Sequence, residues 1–221
     1  MANTSPQRVL VWDLPTRAFH WLLVALVVCS VVTGNLGGNA LTYHLWSGFA
    51  ILALVAFRIA WGFVGGRHAR FASFVRGPRA VVAYAKGLAT GRHIPHLGHN
   101  PLGGWSVIAM LAALLLQAGT GLFVDDEIAT QGPLNKYVSG ATAALLTTVH
   151  RVNAKVLVAL VVLHVAAVVF YAVAKRENLV RPMIHGRKTW TGDPAEGAAS
   201  PLLGAVILAL AAGLVYLLVT L

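Results

Sequence analysis

The sequence predicts an all-α integral membrane protein with five transmembrane helices. The chain of 221 residues is 57% hydrophobic and only 11% charged, whereas a soluble domain carries about 25% charged residues. Five apolar runs each approach the ~20 residues that cross a bilayer. They lie near 18–36, 41–64, 102–124, 152–174 and 202–221. These observations exclude a soluble enzyme, and a single cysteine, Cys29, excludes a secreted disulfide scaffold.

The distribution of charge predicts the topology. The net charge is +10, and basic residues concentrate in the connections after the second and fourth spans. The connection between the third and fourth spans instead contains Asp125, Asp126 and Glu127. This alternation is the positive-inside pattern, so we expect a cytoplasmic N-terminus and a C-terminus on the opposite side of the membrane. Contact with anionic membrane lipid accounts for the basic face, and no nucleic-acid partner is expected.

The first span is predicted to be a retained helix. A signal peptide is the alternative interpretation, but no A-x-A-like cleavage site follows the run. Trp12, His20 and Trp21 also have no function in a simple leader. The glycine- and asparagine-rich residues 34–39 predict a turn, so the first two spans are expected to form a tight hairpin.

The lengths of the remaining segments, and the glycines and prolines that bound them, predict the elements after the second span. The connection 65–101 is the longest, and residues 78–90 in it are predicted to form a short interfacial helix. The fourth helix is expected over about 141–175, longer than a bilayer requires. Residues 190–201 are predicted to be a linker to a last transmembrane helix, 202–221, which has no charged side chain and is expected to act as an anchor.

Four of the nine histidines lie in or at the ends of apolar spans: His20, His44, His150 and His164. Ionisable groups at membrane depth often mark a function, although a lone histidine more often makes a structural interhelical hydrogen bond. The fourteen residues from His150 to His164 place both within ~40° of one helix face and ~21 Å apart along the axis. The predicted topology pairs His44 with His150 at the outer level and His20 with His164 at the inner level.

Two histidines at each level, from two helices, fit bis-histidine haem b. Zinc is the alternative metal, but it usually requires four ligands at one level, and neither level offers them. The chain has no C-x-x-C-H motif, which excludes covalently attached haem. Gly34 and Gly48 are candidate positions for close approach of a porphyrin edge, because glycine has no side chain.

Four basic residues near these histidines are candidate partners of haem propionates: Arg17, Arg58, Arg151 and Lys155. The alternative for each is that the side chain extends to the lipid headgroups.

Three further histidines, His93, His96 and His99, are spaced three residues apart in the long connection. They would form a metal site only on a helix, and Pro95 and Gly98 interrupt that helix, which favours a solvated loop. The acidic residues between the third and fourth spans are expected either to dock a basic periplasmic redox partner, such as a c-type cytochrome, or to be a solvated edge.

Several short sequence motifs occur together in this chain, and the combination is specific to one family. They are residues 11–21 (VWDLPTRAFHW), 58–65 (RIAWGFVG), 69–71 (ARF), 99–104 (HNPLGG) and 177–180 (ENLV), with the His150/His164 pair and Met183, Gly186 and Lys188. Over about residues 8–189 the sequence resembles the bacterial cytochrome b561 family, which groups with the cytochrome b subunits of nickel–iron hydrogenases.

The resemblance implies a di-haem domain over residues 1–189, built as a four-helix transmembrane bundle, to which the fifth helix is added. In that family four histidines hold two b haems, and they map here onto His20, His44, His150 and His164. The implied activity is electron transfer between membrane quinone (ubiquinone or menaquinone) and a redox partner. That partner is a c-type cytochrome, a dehydrogenase or hydrogenase subunit, or superoxide. A homo-oligomer is compatible with this function.

Two other classes of function remain as alternatives. A cation or proton transporter would use the same histidines as a relay, but no Asp or Glu lies at membrane depth to support it. An anchor and assembly subunit would use them structurally, which the same-face spacing of His150 and His164 disfavours. Electron transfer through haem requires no catalytic side chain, and none is predicted.

Overall fold

A computed structural model describes residues 5–92, 94–126, 130–191 and 197–221. The described elements, in chain order, are β1 (Gln7–Leu10), α1 (Leu14–Leu36), α2 (Leu41–Val64), α3 (Phe71–Phe74), α4 (Pro78–Ala89), α5 (Pro101–Gly121), α6 (Gly140–Ala174), α7 (Val180–His185), β2 (Arg187–Trp190) and α8 (Pro201–Val219). Short 3₁₀ turns lie at Gly38–Ala40, Arg67–Ala69 and Asn135–Tyr137.

Five of these helices, α1, α2, α5, α6 and α8, are long and apolar enough to cross a membrane. They coincide with the five apolar runs of the sequence. The fourth, α6, has 35 residues, or about 52 Å at 1.5 Å per residue, which exceeds the ~30 Å hydrocarbon core of a bilayer. In the long connection, α4 lies where a short helix was predicted.

The helix ends follow from local chemistry. Asp13 precedes α1, and its Oδ1 accepts a hydrogen bond from the backbone N–H of Thr16 at 2.9 Å, as an N-cap residue does. The side chain of Asn100 caps α5 in the same way, accepting from the N–H of Gly103 at 2.8 Å. After α1 the chain turns at Gly37 and Gly38, whose φ values of 67° and 53° favour glycine.

A two-stranded antiparallel ribbon joins the two ends of the predicted di-haem domain. Strand β1 pairs with β2 from Gln7 opposite Trp190 to Leu10 opposite Arg187. The sequence analysis did not predict these strands, because four-residue strands paired across more than 170 residues leave no local signal. The helical character of the fold is unaffected.

The described chain divides into two compact units. Unit 1 contains Met1–Ala18, Ile59–Ala109 and Val162–Ala205, and unit 2 contains Phe19–Arg58, Met110–Val161 and Val206–Leu221. The division between the units falls inside each of the five long helices. Unit 2 has a buried apolar cluster formed by Leu52, Ala53, Leu122, Leu134 and Val215.

Asp13 organises part of unit 1. The carboxylate is buried, and besides capping α1 it accepts hydrogen bonds from Trp61 Nε1 at 3.3 Å and from the N–H of Gly66 at 3.1 Å. Trp61 is fully buried and also donates to Thr16 Oγ1 at 3.2 Å. One carboxylate therefore fixes the start of α1 against the end of α2.

Candidate functional site

Two of the four predicted histidines lie side by side in unit 2. His44 lies on α2 and His150 on α6, and their ring centroids are 6.2 Å apart with the ring planes at 81°. Residues 106 positions apart in the sequence thus present two imidazoles to one space. Both positions belong to helices that are apolar along most of their length.

The orientation of the His44 ring is fixed by α1. Its Nδ1 lies 2.8 Å from the carbonyl oxygen of Ser30 and 3.2 Å from the hydroxyl oxygen of the same residue. A carbonyl oxygen only accepts hydrogen bonds, so Nδ1 carries the proton and donates it. The lone pair is then on Nε2, which is the nitrogen available to a metal.

His150 is held in the same manner by α5. Its Nδ1 lies 2.9 Å from the carbonyl oxygen of Gln117 and 3.2 Å from the hydroxyl oxygen of Thr120. The neighbouring Asn153 donates to the side-chain oxygen of Gln117 at 2.8 Å and to the carbonyl of Ala113 at 2.9 Å. Asn153 and Thr120 are buried. Sequence reasoning missed both as parts of the site, although a buried amide three residues after an intramembrane histidine is a usable signal.

The two glycines predicted to face a porphyrin have different surroundings. A Cβ placed on Gly34 would lie 2.8 Å from Nδ1 of His44, so the missing side chain makes room for the imidazole. At Gly48, one turn after His44 on α2, no atom of the described residues outside the local helix backbone lies within 4 Å of the position that a Cβ would take. A third glycine, Gly121, was not predicted, and its Cβ would lie 3.1 Å from Cε1 of His150.

The candidate propionate partners differ in burial. Arg58, in the interior of α2, is only 3% exposed, which favours a role inside the protein over extension to lipid headgroups. Arg151 and Lys155 on α6 are exposed. Arg17 is half-buried in unit 1 and donates from Nη1 to the carbonyl of Ile184 at 2.6 Å.

The other two predicted ligands, His20 and His164, are each half-buried. His20 belongs to unit 2, where its ring meets the ring of Trp21 edge-on at 4.9 Å. His164 belongs to unit 1 and lies on α6, the helix that also carries His150. The pairing of His20 with His164 stays a prediction.

His68, His96 and His99, all in the long connection, line a cleft of about 240 Å³ in unit 1 together with Arg76. His96 and His99 lie outside any helix, as predicted, and His93 lies outside the described residues. The ring of His99 packs between Trp12 and Phe74, with both centroid distances at 4.7 Å. Among the residues that the structure describes, no group of three or more His, Cys, Asp or Glu side chains is placed to hold a metal ion.

Unit 1 also contains a polar network that the sequence did not reveal. The hydroxyls of Tyr84 and Tyr171 are 2.9 Å apart, and Asn100 Nδ2 donates to the Tyr171 hydroxyl at 2.9 Å. Burial of Tyr84, with a smaller contribution from its hydrogen bond to Tyr171, raises the pKa of the Tyr84 phenol above its ordinary value. Nearby, Lys188 Nζ lies 2.5 Å from Glu177 and donates to the carbonyl of His96 at 2.6 Å.

The predicted acidic segment is only partly described, since Glu127 lies outside the described residues. Asp125 Oδ2 accepts a hydrogen bond from Gln131 at 2.9 Å, and Asp126 Oδ1 accepts from the N–H of Thr130 at 2.7 Å. Both carboxylates thus stabilise the connection that carries them.

The His44/His150 pair fits haem iron in separation and in chemistry. Imidazole nitrogens bind metals at ~2.0–2.1 Å, so two imidazoles on opposite sides of one ion have ring centroids about 6 Å apart. The observed 6.2 Å agrees. Among the described residues no third His, Cys, Asp or Glu joins this pair to form a metal-binding group, so two neutral nitrogen ligands would suit haem iron better than a four-coordinate zinc ion.

A pair of this kind in apolar helices is typical of membrane cytochromes that hold haem through two histidines. The sequence model of the prokaryotic cytochrome b561 family matches residues 11–186 of the chain. The chain therefore belongs to this family. The prediction of an all-α membrane protein is thereby confirmed. Membership also implies haem b as cofactor and electron transfer in the membrane as the general activity.

Three relatives are similar to the chain along most of their length. The chain is 26% identical to a probable Ni/Fe-hydrogenase B-type cytochrome subunit of Rhodobacter capsulatus, covering 85% of this chain and 84% of the relative. It is 23% identical to the corresponding protein of Rhizobium leguminosarum bv. viciae, covering 82% and 89%. A probable Ni/Fe-hydrogenase 1 B-type cytochrome subunit of Escherichia coli K12 is 22% identical, covering 81% and 90%.

Proposed function

We propose that this protein transfers electrons across a bacterial inner membrane through two bis-histidine b haems. His44 and His150 hold one haem, and His20 and His164 hold the other. The electrons pass between the membrane quinone pool and a redox partner. The N-terminus is cytoplasmic and the C-terminus periplasmic, as the alternation of basic and acidic connections favours.

The observation that carries this proposal is the His44/His150 pair. Its centroid distance of 6.2 Å suits two axial ligands of one iron. Each Nδ1 donates to a backbone carbonyl on a second helix. A metal-binding imidazole is commonly fixed in this way, because a bond from one nitrogen sets the tautomer and aims the other.

Support for the second haem comes from helix geometry. His164 follows His150 by fourteen residues on α6, which is continuous from Gly140 to Ala174. The two histidines therefore lie ~21 Å apart along one helix axis and within ~40° of one face. Ligands at two levels of one helix give a redox centre near each membrane surface.

The bound haems supply reversible one-electron chemistry at iron. The protein supplies the ligands, fixes their tautomers and excludes water by means of its apolar helices. A buried guanidinium at Arg58 offers positive charge inside the protein to a propionate, and Arg17, Arg151 and Lys155 are further candidates. The open space beside Gly48 allows a flat macrocycle to approach α2.

The relatives favour one kind of partner. Because they are named as cytochrome subunits of Ni/Fe hydrogenases, we propose a hydrogenase-type subunit as the electron donor and quinone as the acceptor. A c-type cytochrome, another dehydrogenase or superoxide would require the same two haems and a different docking surface.

The deciding experiment is a haem count on protein purified in detergent from haem-replete cells. We expect sharp b-type bands in the reduced-minus-oxidised spectrum and two haems per chain by pyridine haemochrome assay. His164→Ala is expected to remove one haem and leave the other. Two full haems in that variant would contradict the ligand assignment, and a colourless wild-type protein would contradict the function and favour cation transport.

A further inference from the structure

Two five-residue segments, 87 positions apart, have the same arrangement around a histidine. Ser30–Gly34 (SVVTG) lies near the end of α1, and Gln117–Gly121 (QAGTG) ends α5. In each segment the carbonyl of the first residue accepts the Nδ1–H of a histidine, at 2.8 Å for His44 and 2.9 Å for His150. Each histidine lies on the next transmembrane helix of the chain.

The threonines of the two segments also correspond. Thr33 donates its hydroxyl to the carbonyl of Cys29, and Thr120 donates to that of Leu116, each at 2.7 Å and each four residues back. The hydroxyl of each threonine is thereby bonded along its own helix. Next to Nδ1 of its histidine, each segment then presents the carbonyl of its first residue, one hydroxyl oxygen at 3.2 Å (Ser30 for His44, Thr120 for His150) and the last glycine.

The glycine that ends each segment lies against the imidazole. A Cβ at Gly34 would come within 2.8 Å of Nδ1 and 3.0 Å of Cε1 of His44, and a Cβ at Gly121 within 3.4 Å and 3.1 Å of the same atoms of His150. Positive φ values occur at other glycines of the described chain, and neither Gly34 nor Gly121 is among them. Backbone conformation therefore does not require glycine at these two positions.

Helix propensity does not require glycine there either, since alanine is the more favourable residue in a helix. What both helical positions share is contact with the imidazole of a histidine on the next transmembrane helix. The Nδ1–H···O=C bond forms only if the ring lies close to the helix backbone, and a methyl group would hold the ring away.

We propose that Gly34 and Gly121 are positioning residues, which seat His44 and His150 in two equivalent cradles so that each Nδ1 bonds to a backbone carbonyl and each Nε2 is left for iron. The site is then built from two equivalent hairpins, α1 with α2 and α5 with α6. In each, the first helix supplies the cradle and the second supplies the ligand. This inference rests on the proposed haem function and deepens it.

The space between glycine and imidazole is smaller at Gly34 than at Gly121. The proposal therefore predicts a larger effect of an added methyl group at Gly34. A methyl at Gly34 overlaps Nδ1 of His44, so we expect Gly34→Ala to displace that ring. A methyl at Gly121 is tight against His150 without severe overlap, so Gly121→Ala should shift the ring by a few tenths of an ångström. Gly119 is the matched control on α5, because its Cβ would have no atom of another described part of the chain within 4 Å.

The test is to purify the wild type and the Gly34→Ala, Gly121→Ala and Gly119→Ala variants. Three properties are measured: haem per chain, the low-spin absorption and EPR signature, and the rate of haem transfer to apomyoglobin. We expect Gly34→Ala to lose one haem of two while the other keeps its low-spin spectrum. Gly121→Ala should transfer one haem about tenfold faster, in line with the loss of other supporting contacts to metal ligands. Gly119→Ala should match the wild type.

A purely structural role for these glycines predicts a different pattern, in which both haems are lost together as the protein unfolds. Circular dichroism and thermal unfolding separate that case from selective loss of one haem. A Gly34→Ala protein with two haems and an unchanged spectrum would overturn the proposal. If Gly34→Ala does not accumulate, equal spectra and equal haem transfer rates for Gly121→Ala and Gly119→Ala would overturn it. A colourless wild type would instead reject the haem function itself.

Discussion

Histidines occupy two different settings in this protein. In unit 2, His44 and His150 bond through Nδ1 to carbonyls of another helix, fourteen and thirty-three residues away in sequence. In unit 1, His96 bonds to the carbonyl of Ile94, two residues away, at 2.8 Å, and the ring of His99 lies tilted against the rings of Trp12 and Phe74. The first pair is thus fixed relative to a second helix, whereas His96 is fixed relative to its own turn.

This difference shows what makes a histidine suitable as a ligand. A long-range bond sets the tautomer and also the distance between one helix and the next, so the free Nε2 is held at a defined place. A bond within one turn sets only the tautomer. The spacing of His93, His96 and His99 looks more regular in the sequence, yet the described part of that segment is non-helical and polar.

The largest expected effect is on haem content, and it should differ between a histidine of the His44/His150 pair and a histidine of the long connection. His44→Ala should remove one haem per chain, because the haem site proposed at His44 and His150 would lose one of its two ligands. His99→Ala should leave both haems in place. Pyridine haemochrome assays on the two variants measure this, and equal haem content in the two proteins would mean that the settings do not differ as described.

A second prediction concerns the stability of unit 1. Asp13→Ala removes the N-cap of α1 and the carboxylate oxygens that accept from Trp61 Nε1 and from the N–H of Gly66. We expect a loss of about 2–4 kcal/mol in the free energy of unfolding, measured by denaturant or thermal unfolding in detergent. Asp13→Asn keeps one acceptor oxygen and should lose less. Wild-type stability in Asp13→Ala would show that this carboxylate does not organise the unit.

A third prediction concerns Tyr84, whose pKa is raised by burial and by the Tyr171 hydroxyl. Because the folded protein keeps this proton longer than the unfolded chain does, Tyr84 stabilises the fold fully below about pH 10, the ordinary pKa of tyrosine. That contribution is lost as pH rises above this value. Tyr84→Phe should lose about 1 kcal/mol at neutral pH and show a smaller decline at high pH.

Thermal unfolding between pH 7 and pH 11 tests this prediction, with Tyr43→Phe as control because Tyr43 is 58% exposed. Identical pH dependence in wild type and Tyr84→Phe would contradict it.

The smallest effect concerns the midpoint potential of the haem that His44 and His150 are proposed to hold. Thr120 Oγ1 lies 3.2 Å from Nδ1 of His150, where it accepts part of the hydrogen bond and makes the imidazole a more basic ligand. Thr120→Val should therefore raise the midpoint potential of one haem by about 20–40 mV, the equivalent of 0.5–1 kcal/mol for one electron. Potentiometric titration measures it, with Thr148→Val on α6 as control. A lowered potential would contradict the assigned direction of this bond.

The sequence by itself determined the membrane class and the helical fold. Both follow from the length and apolar composition of contiguous residues, which can be read directly from the sequence. A run of about 20 apolar residues in a bilayer must satisfy its backbone hydrogen bonds internally, and a helix does so. The family could also be recognised from the sequence, because its motifs are short contiguous stretches such as residues 11–21 and 99–104. The match over residues 11–186 confirms it. The same-face spacing of His150 and His164 likewise follows from helical periodicity.

The tertiary structure decided which atoms meet. That His44 approaches His150, that carbonyls of Ser30 and Gln117 accept their protons, and that Gly34 makes room for an imidazole all depend on how separate helices pack. The same holds for the pairing of β1 with β2 and for the three bonds of Asp13. A backbone carbonyl is present at every residue, so no side-chain pattern marks which one will receive a histidine. That choice is made only when the helices come into contact.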